Sequence, residues 1–383
     1  MFNLTKFSKA RLIAFSRRFS AIINSEASNV LKDDTPPPTI RLLPPSTYGG
    51  EDHVSLLTGS TSLGKQAAHF ITRLFETAKV PVYFEHTAVS DTQNEEDDVT
   101  EEFLLSAMRN RSAIYVDIQH DPRAKRKSLL LASNLDLYAC VVKMDTFSGF
   151  NCRHPDVDIM LIMQNNSGDY SKLEYEPVPG LVETLKMCDP RVVRRFLRFV
   201  FSYAQKHCRQ KIAIAHKVNE IPKTDGMFLD IAAELQVSDF PDIEVEFLTV
   251  NDLVMHLVMN PQMFDVICSG DRYGTFIASI CSAVCGGASL FSSTELGDHH
   301  AVFKPLQMKL SLTDSKILSP YGVVRACIDL LHHLGKDECA LALWKELKRT
   351  MLVDKIKTSE FGGNNEGEFV ICNIVNKLKC SFY

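Results

Sequence analysis

From His53 onward the chain alternates short apolar runs with amphipathic stretches of helical period, and this alternation narrows the possible folds more than any other feature. The runs His53–Leu57, Val80–Val89, Ala113–Ile118, Asp158–Met163, Lys211–Val218, Ile243–Val250 and Asp265–Cys268 read as strands. Helical periodicity fills the gaps at Lys65–Thr77, Glu101–Arg109, Asp225–Leu235, Asp252–Met259 and Thr275–Cys285, the last closed by Gly286-Gly287. Strands followed by helices predict an α/β fold. The sharpest helix signal is Asp189–His207: Asp189 is a good N-cap, Pro190 stands at the first helical position, and Val193, Phe196, Leu197, Val200 and Phe201 form one apolar stripe. The last third reads as helical, at Tyr321–Leu334, Glu338–Met351 and Phe369–Leu378.

The two ends of that pattern differ from its middle. Residues 1–24 carry Lys6, Lys9, Arg11, Arg17 and Arg18, with phenylalanines and serines interspersed and no acid before Glu26. That is the composition of a mitochondrial transit peptide, with cleavage placed near Arg18-Phe19-Ser20; a basic tail is the plainer alternative. Removing those five positive charges takes the formal net charge from −5 to −10. Residues 25–50 read as a proline-rich linker, with Pro36-Pro37-Pro38 and Pro44-Pro45 favouring extended backbone, so folded structure is expected near His53.

Composition excludes several classes of partner. No run approaches the length of a membrane span. The arginines of the 189–207 segment, Arg191, Arg194, Arg195 and Arg198, have no interleaved aromatics, so a solvated or subunit-facing helix surface is expected rather than a nucleic-acid surface. Eleven cysteines without a Cys-x-x-Cys pair read as buried thiols in a reducing compartment. His299-His300 beside Asp298 reads as a loop pair and not a metal site. Gly59 to Lys65 fits the spacing of a phosphate-binding loop between a strand and a helix. Gln66 replaces the hydroxyl residue that such a loop needs for Mg²⁺, so a strand-to-helix turn that requires glycine is the competing reading.

A series of ordered segments carries a family likeness: Asn134-Leu-Asp-Leu-Tyr-Ala139, Pro179-Gly-Leu-Val-Glu-Thr-Leu-Lys186, His216-Lys-Val-Asn219, Asp225-Gly-Met-Phe-Leu229, Leu257-Val-Met-Asn-Pro-Gln262, Phe264-Asp-Val266, Ala301-Val-Phe303 and Phe361-Gly-Gly363. In these the chain resembles the isocitrate/isopropylmalate dehydrogenase family, and within it the gamma- and beta-type regulatory subunits of mitochondrial NAD-dependent isocitrate dehydrogenase. The resemblance implies two domains sharing a large twisted mixed sheet. Residues 51–143 with 275–383 would form the large domain and 144–274 the small one, with a dimer clasp near 172–188.

The family reaction oxidises a secondary alcohol and then decarboxylates a β-keto acid. It needs a divalent metal held by carboxylates, arginines for the substrate carboxylates, and a lysine and a tyrosine for proton transfer. Matched position by position, the three metal aspartates fall on Asn251, Thr275 and Ser279, with Asp252 one residue out of register. The two substrate arginines fall on Ala132 and Met163, leaving Lys127 and Lys143 as the nearest cations. The family glycine loop falls on Thr58–Lys65 and the adenine-site asparagine on Ser319. Tyr170 and Lys217 keep the proton-transfer identities, and Asn219 is kept as well. The resemblance therefore implies a non-catalytic structural or regulatory subunit of the tricarboxylic acid cycle enzyme in the mitochondrial matrix. NAD and Mg²⁺ or Mn²⁺ would sit on a catalytic partner subunit in a hetero-oligomer, and Tyr170 and Lys217 would serve a neighbour's site. An active isocitrate dehydrogenase subunit is the alternative, and a nucleotide-binding protein built on Gly59–Lys65 the remote one.

Overall fold

The computed structural model describes residues 47–58, 62–88, 98–116, 128, 130–146, 152–168, 173–306 and 319–381. The expected transit peptide, Tyr170, Lys127 and the turn residues Gly59–Thr61 lie outside them. The described residues form one compact unit.

Eleven strands build one sheet among the described residues. On one side, β2 (Glu51–Thr58) lies parallel to both β3 (Val82–Ala88) and β4 (Ser112–Val116), and β4 runs parallel to β13 (Ala301–Pro305). On the other side, β6 (Asp158–Gln164), β11 (Val266–Ser269), β9 (Lys211–His216) and β10 (Glu244–Thr249) form a second parallel block. Two antiparallel strands, β12 (Ser292–Leu296) and β5 (Ala139–Asp145), join the blocks and reverse the chain direction between them. The last four residues of the expected linker begin the fold: β1 (Thr47–Tyr48) turns at Gly49-Gly50, both at positive φ, to pair with Glu51 and Asp52.

Burial explains the central strands. From Ile159 to Gln164, β6 is buried at every residue, which requires helices on both faces and an unbroken apolar run. One covering helix is α3 (Pro190–Lys206); the others named below are α1 (Ser62–Thr77), α2 (Asp98–Asn110), α4 (Thr224–Ser238), α5 (Val250–Met259), α6 (Asp271–Val284) and α7 (Pro320–His333). In α3 the expected cap is present: Asp189 accepts the backbone N–H of Arg191 at 2.8 Å. That pairing, with the Arg191 guanidinium alongside, holds the Asp189 carboxyl below the usual carboxylate range. The predicted stripe is buried, together with Phe199, which stacks on Tyr203.

The basic face of α3 is committed within the chain. Arg194 makes a two-pronged pair with Glu234 at 3.0 and 2.8 Å, and Arg198 lies 3.7 Å from Asp239, both carboxylates on or beside α4. Arg195 reaches Asp136 and Asp298, each at 2.7 Å, with its guanidinium 4.1 Å from the centre of the Tyr138 ring. These arginines are braces between elements. No helix among the described residues is long and apolar enough to cross a membrane.

The stretch 172–188 contains a separate two-stranded hairpin, β7 (Glu174–Val178) and β8 (Leu181–Thr184). Every residue in both strands is exposed, Tyr175 and Val182 among them at 67% and 60%.

Candidate functional site

The strands β6, β11, β9 and β10 end side by side, and in a parallel sheet such strand ends are where ligands bind. Of the positions singled out in the sequence, Met163, Lys217, Asn251, Thr275 and Ser279 lie on these strand ends or on the segments that follow them.

At the end of β10, Thr249 caps α5. Its hydroxyl accepts the backbone N–H of Asp252 at 3.2 Å and donates to the Asp252 carboxylate at 2.7 Å. This reciprocal capping arrangement satisfies an orphan helix donor and turns the Asp252 carboxylate back on its own helix. Asn251 is exposed one residue earlier. On α6, the exposed Thr275 contributes its backbone carbonyl to the Ser279 hydroxyl at 2.8 Å, so Ser279 bonds to its own helix. A hard divalent cation needs several oxygen ligands, preferably anionic. Among the described residues no group of three Asp, Glu, His or Cys side chains converges to hold one.

The two positions that resemblance assigns to substrate arginines are filled by packing. Met163 is 8% exposed at the end of β6, opposite Ser269 of β11. Its Cβ lies 2.5 Å from where a side chain at Gly274 would begin, so glycine is required there for α6 to approach the strand. Ala132 is 2% exposed in a small core with Phe103, Tyr115, Leu135 and Val302. Lys143 lies on β5, three residues from Cys140, which pairs with Met163. Burial lowers its pKa, and its ammonium sits 6.0 Å from the Tyr203 ring centre, under α3 and away from this edge.

Lys217 follows β9. Its backbone N–H donates to Asp225 at 2.7 Å, and its ammonium pairs with Glu220 at 3.0 Å. Just inside, a cavity of about 20 Å³ is bounded by Gln164, Lys186, His216, Asp225 and Tyr273, with room for roughly one water. Burial pushes the His216 imidazole pKa down. Lys186 and Tyr273, whose ammonium and ring centre are 5.7 Å apart, were not singled out in the sequence; no spacing signal links residues so far apart in the chain. Ser319 caps the start of α7 and donates to the Ser289 carbonyl at 3.4 Å. Lys65 is exposed on α1. His299 and His300 occupy the turn between β12 and β13, their ring centres 6.4 Å apart and nearly perpendicular. The ten described cysteines are all free.

This frame is shared with known proteins. Residues 54–378 match the family described as isocitrate/isopropylmalate dehydrogenase. The chain belongs to that family. It is 30% identical over 340 residues to isocitrate dehydrogenase [NAD] subunit 1, mitochondrial, of Saccharomyces cerevisiae, covering 87% of this chain and 93% of that protein. It is 31% identical over 344 residues to the mitochondrial gamma subunit of Bos taurus, covering 88% and 87%. Its fold superimposes on the crystal structure of isocitrate dehydrogenase from Methylococcus capsulatus with a TM-score of 0.75 at 22% identity, over 85% of this chain and 99% of that one. The family match spans the glycine turn, so Gly59–Lys65 falls within an isocitrate/isopropylmalate dehydrogenase frame. Within this family the strand-end edge is also where the resemblance places metal and substrate. The side chains found here fit neither: the carboxylate positions carry amide or hydroxyl groups, and the arginine positions are apolar and buried.

Proposed function

We propose that this chain is a non-catalytic subunit of a mitochondrial NAD-dependent isocitrate dehydrogenase, supporting or regulating a catalytic partner in the tricarboxylic acid cycle. The observation that carries the reading is the state of the β10–α5 and β11–α6 junctions. Asn251, Thr275 and Ser279 offer no carboxylate, and the nearby Asp252 is spent on the helix cap. Without a Lewis acid the enolate formed on decarboxylation has nothing to stabilise it, and oxidation of the alcohol loses its polarising group. NAD and Mg²⁺ or Mn²⁺ accordingly belong to the partner subunit.

Two surfaces support a partner chain. The hairpin 174–184 and the segment beside it expose Tyr175, Val182, Leu185 and Met187, and the paired helices α5 and α6 expose Met255, Met259 and Phe276. Apolar patches of this kind mark interaction sites. The relatives named above are themselves called subunits and mitochondrial, and the acid-free basic stretch 1–24 supports import into the matrix. Tyr170 and Lys217 would then act, if at all, in a neighbour's site.

The test is to isolate the chain alone and together with a catalytic isocitrate dehydrogenase subunit, then follow NAD reduction with isocitrate with and without Mn²⁺. The expected result is no turnover by the lone chain, co-elution with the catalytic subunit, and a changed KM or kcat of that partner. Metal-dependent turnover by the lone chain overturns the reading.

A further inference from the structure

A cavity among the described residues lies along the C-terminal halves of α5 and α6. It has a volume of about 720 Å³, within the range of small-molecule sites. Its walls are the loop from Cys152 to His154, Val258 near the end of α5, the face of α6 from Ser279 to Val284, and residues of the segment Lys357–Phe361. These walls are fixed to one another. The Cys152 thiol reaches the Cys285 carbonyl at 3.7 Å, His154 Nε2 bonds the Val258 carbonyl at 3.0 Å, and the Gln262 amide donates to the Pro155 carbonyl at 3.0 Å.

The lining is divided in chemistry. Ile280, Ala283, Val284 and the ring of Phe361 make an apolar wall. Arg153 and Lys357 supply two cations against the single carboxylate of Glu360. Arg153 is exposed and makes no ion pair among the described residues. One effect opposes an anion here: α5 and α6 both end at the cavity, and helix C-termini carry partial negative charge. Those carbonyls are already satisfied. The N–H groups of Cys285, Gly286 and Gly287 close the end of α6 on Cys281, Ala283 and Ser282, and His154 takes the Val258 carbonyl. The Arg153 guanidinium, with Lys357 beside it, therefore sets the sign.

We propose that this cavity binds a small amphipathic anion, its carboxylate or phosphate on Arg153 and Lys357 and its apolar body against Ile280, Val284 and Phe361. Ser279 of the candidate functional site also lines this cavity, so the two adjoin, but the proposed contacts use other side chains and stand whether or not the chain is catalytic. Its place at the C-terminal ends of α5 and α6, whose exposed residues Met255, Met259 and Phe276 form one of the two apolar surfaces, gives a bound ligand a path to a partner subunit.

The test uses the full chain and the fluorescent aromatic sulfonate 8-anilinonaphthalene-1-sulfonate. Saturable binding is expected, with displacement by octanoate or octyl phosphate and not by octanol at the same concentration; the two anions separate a carboxylate from a phosphate preference. Arg153→Glu is expected to weaken binding at least tenfold, and Ala283→Trp, which puts an indole over the apolar wall, to weaken it at least tenfold as well. Both residues are exposed, so both variants are expected to fold. In the unaltered chain, octanoate is expected to slow iodoacetamide alkylation of Cys152 at least fivefold and to leave the exposed Cys208 unchanged. Equal displacement by octanol, undiminished binding to Ala283→Trp, or unprotected Cys152 each overturn the proposal.

Discussion

The interior beneath α3 and the strand-end edge belong to the same sheet, yet they treat polar groups in opposite ways. Beneath α3 each charge that spans elements has a partner: Arg195 joins Asp136 and Asp298, the Tyr138 hydroxyl donates to Asp298 at 3.0 Å, and Arg209 joins Asp158 and Asp265 at 2.8 Å each. At the edge, Met163 is packed as core, and Asn251, Thr275 and Ser279 carry no charge. The fold therefore rests on packing and bracing, and on the proposed reading the edge can give up its chemistry without cost to the core. Clustered carboxylates repel one another in the absence of metal, so neutral residues at such positions are easier to fold.

Truncation of the interior is the strongest way to test that separation. Phe199 is 1% exposed, stacks on Tyr203 and lies edge-on to Tyr138 with ring centres 5.7 Å apart. Phe199→Ala is expected to cost about 3–5 kcal/mol in denaturant unfolding. A loss below about 1 kcal/mol would mean that the interior is not the part of the molecule under constraint.

A smaller effect is expected from acid. Burial in the last turn of α7, with Lys206 adding to it, pushes the His333 pKa down to about 4. The folded state holds the ring neutral, whereas the unfolded chain takes up the proton near the ordinary value of about 6.5. Stability from this group is therefore complete above about pH 6.5 and is lost as pH falls toward 4, by about 2 kcal/mol at pH 5. His333→Phe should flatten that limb of the stability curve. An unchanged limb would place the acid sensitivity elsewhere.

Next in size is the brace itself. The side chains of Arg195, Asp298 and Asp136 are 30%, 33% and 56% exposed, so solvent screens the pairs. Arg195→Met keeps the stack on Tyr138 and should cost about 1–2 kcal/mol. The Thr249–Asp252 cap comes below it. Asp252→Ala should lower stability by about 1 kcal/mol and leave the turnover of a complex with a catalytic subunit unchanged. A loss of turnover without a loss of stability would return Asp252 to metal chemistry and erase the contrast between interior and edge.

Much of the interior was legible in the sequence, and little of the edge was. The 189–207 segment displays cap, proline and stripe, and the structure places α3 at Pro190–Lys206. By contrast β12 and β13 lie in a stretch, 288–320, that sequence reading assigns to neither strand nor helix. The sequence Ser-Ser-Thr-Glu-Leu of β12 has no apolar run, because its buried Glu295 is neutralised by Lys304 of the neighbouring strand at 2.6 Å. β5 was obscured for a related reason, as Lys143 interrupts its apolar residues while packing under Tyr203. At the edge, resemblance named the positions, but residue identity alone does not say that Met163 packs against Gly274, nor that Ser279 bonds to its own helix. Those depend on contacts between elements. The cavity along α6 combines residues from four separate parts of the chain and has no local signature.

The smallest stability effect falls on Lys217, where interior and edge meet. Its backbone is anchored to Asp225, a feature of the scaffold, while its ammonium holds only Glu220, whose side chain is 59% exposed. An exposed pair three residues apart is worth a few tenths of a kcal/mol, so Lys217→Met should change the unfolding free energy by less than about 0.5 kcal/mol. Turnover of the assembled complex gives the complementary measurement. A lysine that moves a proton in a neighbouring site contributes about 10²–10⁴-fold to rate, so a drop of that size with unchanged stability would make Lys217 the one residue of the edge still engaged in chemistry. Unchanged turnover would reduce it to a local ion pair, and Glu220→Gln separates the two cases, since breaking the pair leaves the ammonium in place and should spare the rate only if the lysine itself is what the neighbour uses.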